Sequence, residues 1–158
     1  MGLFNFCYIV AAKLFTMKKL TLLLFASFIL TGLLPAQSIA EKEIRKVLSD
    51  QDIAWNRGDI EGFMQTYWKS DSLMFIGKSG ITYGWQKTLD NYKKSYPDTA
   101  SMGKLHFDLV EFKKLSGSNY FVVGKWFLTR SIGNINGVFT LLLKKLNNRW
   151  VIIADHSS

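Results

Sequence analysis

Apolar and polar positions follow a different rhythm in each of three stretches of the chain. From Leu20 to Leu34 the run LTLLLFASFILTGLL is apolar apart from small hydroxyls and one Gly, with no period. From Glu41 to about Tyr96 apolar residues return every three or four positions, the spacing of helices with one buried stripe. From Lys104 onward they alternate, the spacing of strands with one buried face. Ile44, Val47, Leu48, Ile53, Ala54 and Trp55 predict a first helix over 41–56. Gly58 suits its C-terminal cap and Asp59 the N-cap of a second helix, from Ile60 to about Trp68. Leu73 to Ile76 reads as a short buried strand, Gly77 to Gly80 as a turn, and Ile81 to Tyr83 as a brief strand. Gly84-Trp85 opens a third helix that Pro97 stops. Long strands are expected over 105–115, 120–130, 137–146 and 149–156, joined by Gly- and Asn-rich turns. The sum is an α+β fold whose helices pack on a mainly antiparallel sheet.

The first rhythm concerns destination. Met17-Lys18-Lys19 precedes the apolar run, and Ser38-Ile39-Ala40 follows it. A basic start, a short apolar stretch and small residues before a cut are the layout of a secretory signal peptide. About 15 apolar residues also fall short of the roughly 20 that a membrane span needs. Residues 1–40 are therefore expected to be a signal peptide cut before Glu41, with a cut two residues earlier as the alternative. Met17 is the natural start, and 1–16 an upstream extension. The expected product is secreted or periplasmic, with no stable membrane anchor. The rival is a membrane hairpin made by the two apolar segments.

Removal of 40 residues from 158 leaves 118, enough for one domain, 41–158. Cys7, the one cysteine, goes with the leader, so neither disulfides nor thiolate metal sites are available. Three of the twenty bases go too, lowering the formal charge from +8 to +5. The remaining bases are scattered, and nucleic-acid binding, which wants a continuous basic face, is not expected. Two histidines separated along the chain, His106 and His156, make no metal pattern, and no metal or cofactor is expected. No nucleophile elbow or phosphate loop is present.

The order αα-ββ-α-ββββ resembles the NTF2-like superfamily, the cone-shaped fold of ketosteroid isomerase, SnoaL-type polyketide cyclases and scytalone dehydratase. The closest likeness is to the exported SnoaL-like/DUF4440 group. It rests on Trp55-Asn56-Arg57-Gly58-Asp59, Ser70-Asp71-Ser72, GITYGW from Gly80 to Trp85, Gly124-Lys125-Trp126, Gly137 to Thr140 and WVIIADHSS from Trp150 to Ser158. The resemblance implies a cone of two to three N-terminal helices on a strongly curved sheet, with a pocket between helices and sheet. It is specific for fold and not for activity.

Aromatic residues crowd the domain, and Tyr and Trp carry polar tips that seek partners when buried. This suits an apolar pocket with a few hydrogen-bonding groups, and its expected lining is Trp55, Tyr67, Tyr83, Trp85, Trp126 and His156. Strict alternation places Trp150, Ile152, Ala154 and His156 on one face of the last strand, and Asp155 and Ser157 on the other. His156, with a pKa near neutrality, is then the candidate acid/base, and Asp155 a cap, ion-pair or subunit-contact residue. Asp71 in Ser-Asp-Ser reads as a turn residue, and the acid pair of ketosteroid isomerase is not visible. The expected function is binding of a small apolar or aromatic molecule. The alternatives are an enzyme of the same fold performing proton transfer, cyclisation or dehydration through His156, and a pocketless oligomerisation module. The strand over 120–130 is apolar on both faces, Phe121, Val123 and Phe127 against Tyr120, Val122 and Trp126, so a homodimer is expected.

Overall fold

The computed structural model describes residues 38–158, so the apolar run Leu20–Leu34 and the expected start at Met17 lie outside the described residues. None of the described helices is long and apolar enough to cross a membrane. Helix α1 spans Ile39–Asn56 and is N-capped by Ser38, whose Oγ accepts from the Glu41 amide at 3.1 Å. Its buried stripe is Ile44, Leu48, Gln51, Ala54 and Trp55. Gly58, at φ +83°, breaks the chain, and Asp59 caps the short helix α2, Ile60–Met64, by accepting from the Gly62 amide at 2.6 Å. α2 ends four residues before the expected Trp68. Residues 66–68 leave the helix to pair with a strand instead, through Trp68 N–H to the Ile152 carbonyl (2.9 Å) and Ile152 N–H to the Thr66 carbonyl (3.0 Å).

Strands β1 (Met74–Gly77) and β2 (Gly80–Tyr83) form a hairpin, followed by helix α3 (Trp85–Ser95) and an unanticipated turn of helix, α4 (Thr99–Met102). α4 owes its existence to a reciprocal capping box between Asp98 and Ser101. Four long strands follow: β3 (Lys104–Lys114), β4 (Asn119–Thr129), β5 (Ile135–Leu146) and β6 (Arg149–Ser157). They make a six-stranded sheet in the order β2-β1-β6-β5-β4-β3, antiparallel except for the parallel pair β1 and β6. The β5–β6 hairpin turns on Asn147 and Asn148, both at positive φ, as a type I′ turn requires.

Two bulges bend this sheet around the helices. One lies at Val110 of β3, opposite Gly124, where a Cβ would run into the Phe139 ring. The other inserts Ile153 into β6, because Leu143 faces Ile152 while Leu142 faces Ala154. The free edge of β3 is covered by α1: the Asn56 amide group donates to the Leu105 carbonyl (2.9 Å) and accepts from its N–H (2.7 Å), and Asp52 accepts from the Phe107 N–H. The core fills the closed end, where Ile44, Leu48, Val122, Leu143 and Ile152 are almost fully buried. At the other end helices and sheet diverge.

Candidate functional site

The opening between α1, α2, α3 and the concave sheet face is a cavity of about 860 Å³. Its apolar wall is a network of aromatic contacts. Trp55 meets Phe63 and Tyr96 edge-on, with ring centroids 5.2 and 4.8 Å apart, and Tyr92 meets Phe63 and Phe75 at 5.3 and 5.6 Å. Trp126, Phe107 and Leu141 complete it from the sheet.

A polar cluster sits in this wall, placed by the β6 bulge. Up to Ile152 the even positions of β6 face inward; past Ile153 the odd ones do, so Asp155 and Ser157 line the cavity. The bulge coincides with a change of neighbour. Ile152 pairs with the segment after α2, whereas Ala154 to His156 pair with β1. That segment carries Tyr67, and the Tyr67 hydroxyl donates to Asp155 Oδ2 at 2.6 Å. Ser157 Oγ donates to Oδ1 at 2.8 Å, and Tyr92 stands beside the Tyr67 hydroxyl. Asp155 is 4% exposed. Burial pushes its carboxyl up to about 6, against the opposing pull of the Tyr67 and Ser157 hydrogen bonds and the nearby His156. Burial, and then the charge of Asp155, raises the Tyr67 hydroxyl well above its ordinary range, so it stays a donor. The arrangement offers a weakly acidic carboxyl and the Tyr92 hydroxyl to any hydroxyl or carbonyl group that reaches them, while the Tyr67 proton is held by Asp155.

Comparison with solved structures fixes the family. An NTF-2 like protein of unknown function from Shewanella oneidensis MR-1 is 46% identical, with a TM-score of 0.73, over 76% of this chain and 99% of that one. The chain belongs to the NTF2-like superfamily. A ketosteroid isomerase-like protein from Erwinia carotovora atroseptica SCRI1043 (18% identity, TM-score 0.58, 74% of this chain and 93% of that one) shares the fold. So does an NTF2-like superfamily protein from Salmonella enterica subsp. enterica serovar Typhimurium str. LT2 (18%, 0.59, 74% and 88%). No protein-family model and no curated protein matches the chain.

Within this NTF2-like cone the six residues expected at the lining divide. Trp55, Tyr67 and Trp126 stand in the cavity wall. Trp85 does not: it is 7% exposed and belongs to the core, its indole N–H donating to the Met64 carbonyl at 2.8 Å. Tyr83 is 59% exposed on the edge strand β2, which leaves the cavity to its neighbour Thr82. His156 is exposed on the outer sheet face, between Ile76 and Thr140, so the expectation of an acid/base His156 in the pocket is corrected. The bulge that turns Asp155 inward turns His156 out. His106 is likewise exposed, stacked on Phe127, and Asp71 is exposed outside the wall. Asp155 and Tyr92 are polar groups of the wall that the pattern of the chain did not place there. A bulge leaves no mark in a period of two, and only the density of polar residues at the end of the NTF2-like domain pointed there.

Proposed function

We propose that the protein binds a small, largely apolar or aromatic molecule whose hydroxyl or carbonyl group meets Asp155, Tyr67 and Tyr92. The observation that carries this reading is a carboxyl raised to about 6 in the wall of an 860 Å³ aromatic cavity. A core that merely needed packing would not keep such a volume open beside a costly buried acid. The cavity also argues against the pocketless module, since the aromatics wall the space and do not fill it.

A panel of aromatic and alicyclic alcohols and ketones, read by tryptophan fluorescence and thermal shift on the whole protein, tests the reading. Saturable binding that weakens in Tyr67→Phe and Trp126→Ala is expected. Trp126→Ala should itself cost less than the roughly 3–5 kcal/mol of emptying a packed aromatic site. Absence of binding across the panel, or binding indifferent to both variants, would defeat it.

A second reading is proton transfer, favoured by the same carboxyl. Each oxygen of Asp155 receives one protein hydrogen bond and keeps a lone pair for a substrate proton. Here Asp155→Asn abolishes turnover of a bound substrate and leaves its binding largely intact.

A further inference from the structure

The mouth of the cavity differs in charge from its depth. Lys78, in the turn between β1 and β2, and Lys94, in the last turn of α3, both line it and both are exposed. Asp155 carries the third charged side chain of the lining, and it lies deep in the wall. Neither lysine makes an ion pair with a described residue, whereas the adjacent Lys93 is held by Glu61 at 2.6 Å and stays out of the lining. A lysine near a helix C-terminus is favoured by the helix dipole, which accounts for Lys94 but not for Lys78. Asn91, Ser79 and Asn136 add uncharged polar groups around the same rim.

Spacing along β1 sets a length. Phe75 lies opposite Asp155 in the β1–β6 ladder, and Lys78 comes three residues later, one past the end of the strand, so at most about 10 Å separates them along the chain.

We propose that the occupant is an anionic amphiphile: an aromatic or alicyclic body with a carboxylate, sulfonate or similar anion at one end. The anion stays between Lys78 and Lys94 at the mouth, and the other end reaches Asp155 and Tyr67, up to about 10 Å further in. This deepens the binding reading above and rests on it. The charge arrangement sorts ligands as well as holding them. A molecule inserted anion-first would bring two negative groups together at Asp155, in a site too dry to screen them.

Two dyes that differ only by a sulfonate separate the ideas: anionic 1-anilinonaphthalene-8-sulfonate and neutral N-phenyl-1-naphthylamine. On the whole protein the two are expected to compete for one site per chain. Lys78→Gln/Lys94→Gln should weaken the sulfonate about tenfold, as should raising the salt to about 0.5 M, and leave the neutral dye within about twofold. Lys93→Gln, outside the lining, should change neither. The substituted side chains are exposed, and an unchanged circular dichroism spectrum certifies the fold. Equal loss for both dyes, or a sulfonate indifferent to the double substitution, overturns the anionic ligand while leaving the cavity reading intact. Failure of both dyes to bind saturably overturns the cavity reading, and this inference with it.

Discussion

Asp155 is held in a state that water would not choose for it. Its carboxyl rises from the ordinary 3.8 to about 6 because it is buried, so the folded chain binds this proton more tightly than the unfolded chain does. Between about pH 4 and pH 6 the folded state therefore carries more protons, and stability must fall as pH rises through that window, then level off. Asp52, also raised to about 6 by burial, acts in the same direction. Asp155→Asn keeps an acceptor for the Tyr67 hydroxyl and removes the ionisation. Urea titrations across this range should show the variant's slope reduced, with stability at pH 7 equal to wild type or higher by up to about 1–3 kcal/mol. An unchanged slope would show that Asp155 ionises normally. The residue scale is also where the sequence was least readable. Trp55, Tyr67 and Trp126 declare themselves as amphipathic groups on buried stripes. Trp85 presents the same pattern but spends its indole N–H on the Met64 carbonyl, a contact 21 positions back along the chain that periodicity does not reveal.

Elements were more legible because each is set by local signals. Gly58, Asp59, Pro97 and the Asn147-Asn148 turn mark boundaries that the structure places within a few residues of those read from the chain. The exceptions are segments whose fate depends on a distant partner. Residues 66–68 exchange helix for a bridge to Ile152, and helical spacing up to Trp68 cannot register that choice. A similar long-range device guards β3, where Asn56 stands in for a missing strand. Asn56→Ala strands both backbone groups of Leu105 at the sheet edge. A loss of about 1–3 kcal/mol is expected in urea unfolding, with faster amide exchange at the start of β3. Helix α1 bears on processing too. Because Ser38 caps it, a cut before Glu41 would strip the cap and the first turn, a change worth about 1 kcal/mol for the cap alone. We propose that the leader is removed, and intact mass should then give a mature N-terminus between Gln37 and Glu41.

Across the whole molecule, the alternation from Lys104 to the end encodes a sheet with one apolar face inward, and the aromatic load encodes the space that this face encloses. The same alternation leaves Phe121, Val123, Phe127 and Val138 on the outer face, with Phe127 36% and Val138 46% exposed. We propose that a second copy covers this face, as its apolar character and two-fold closure favour. Sedimentation velocity at micromolar concentrations should then give twice the chain mass, and Phe127→Lys/Val138→Lys should restore the monomer without unfolding it. A wild-type monomer over that range would count against the pairing.

The inserted Ile153 divides β6 into two stretches that answer to different parities. In a saturation scan, intolerance should fall on even positions up to Ile152 and on odd positions from Asp155, a phase slip in the mutational record at one residue. Deleting Ile153 would restore a regular ladder and still leave Asp155 facing inward, so a relative one residue shorter at this point can keep the same chemistry. An alignment without a gap there would set the wrong residue opposite Asp155.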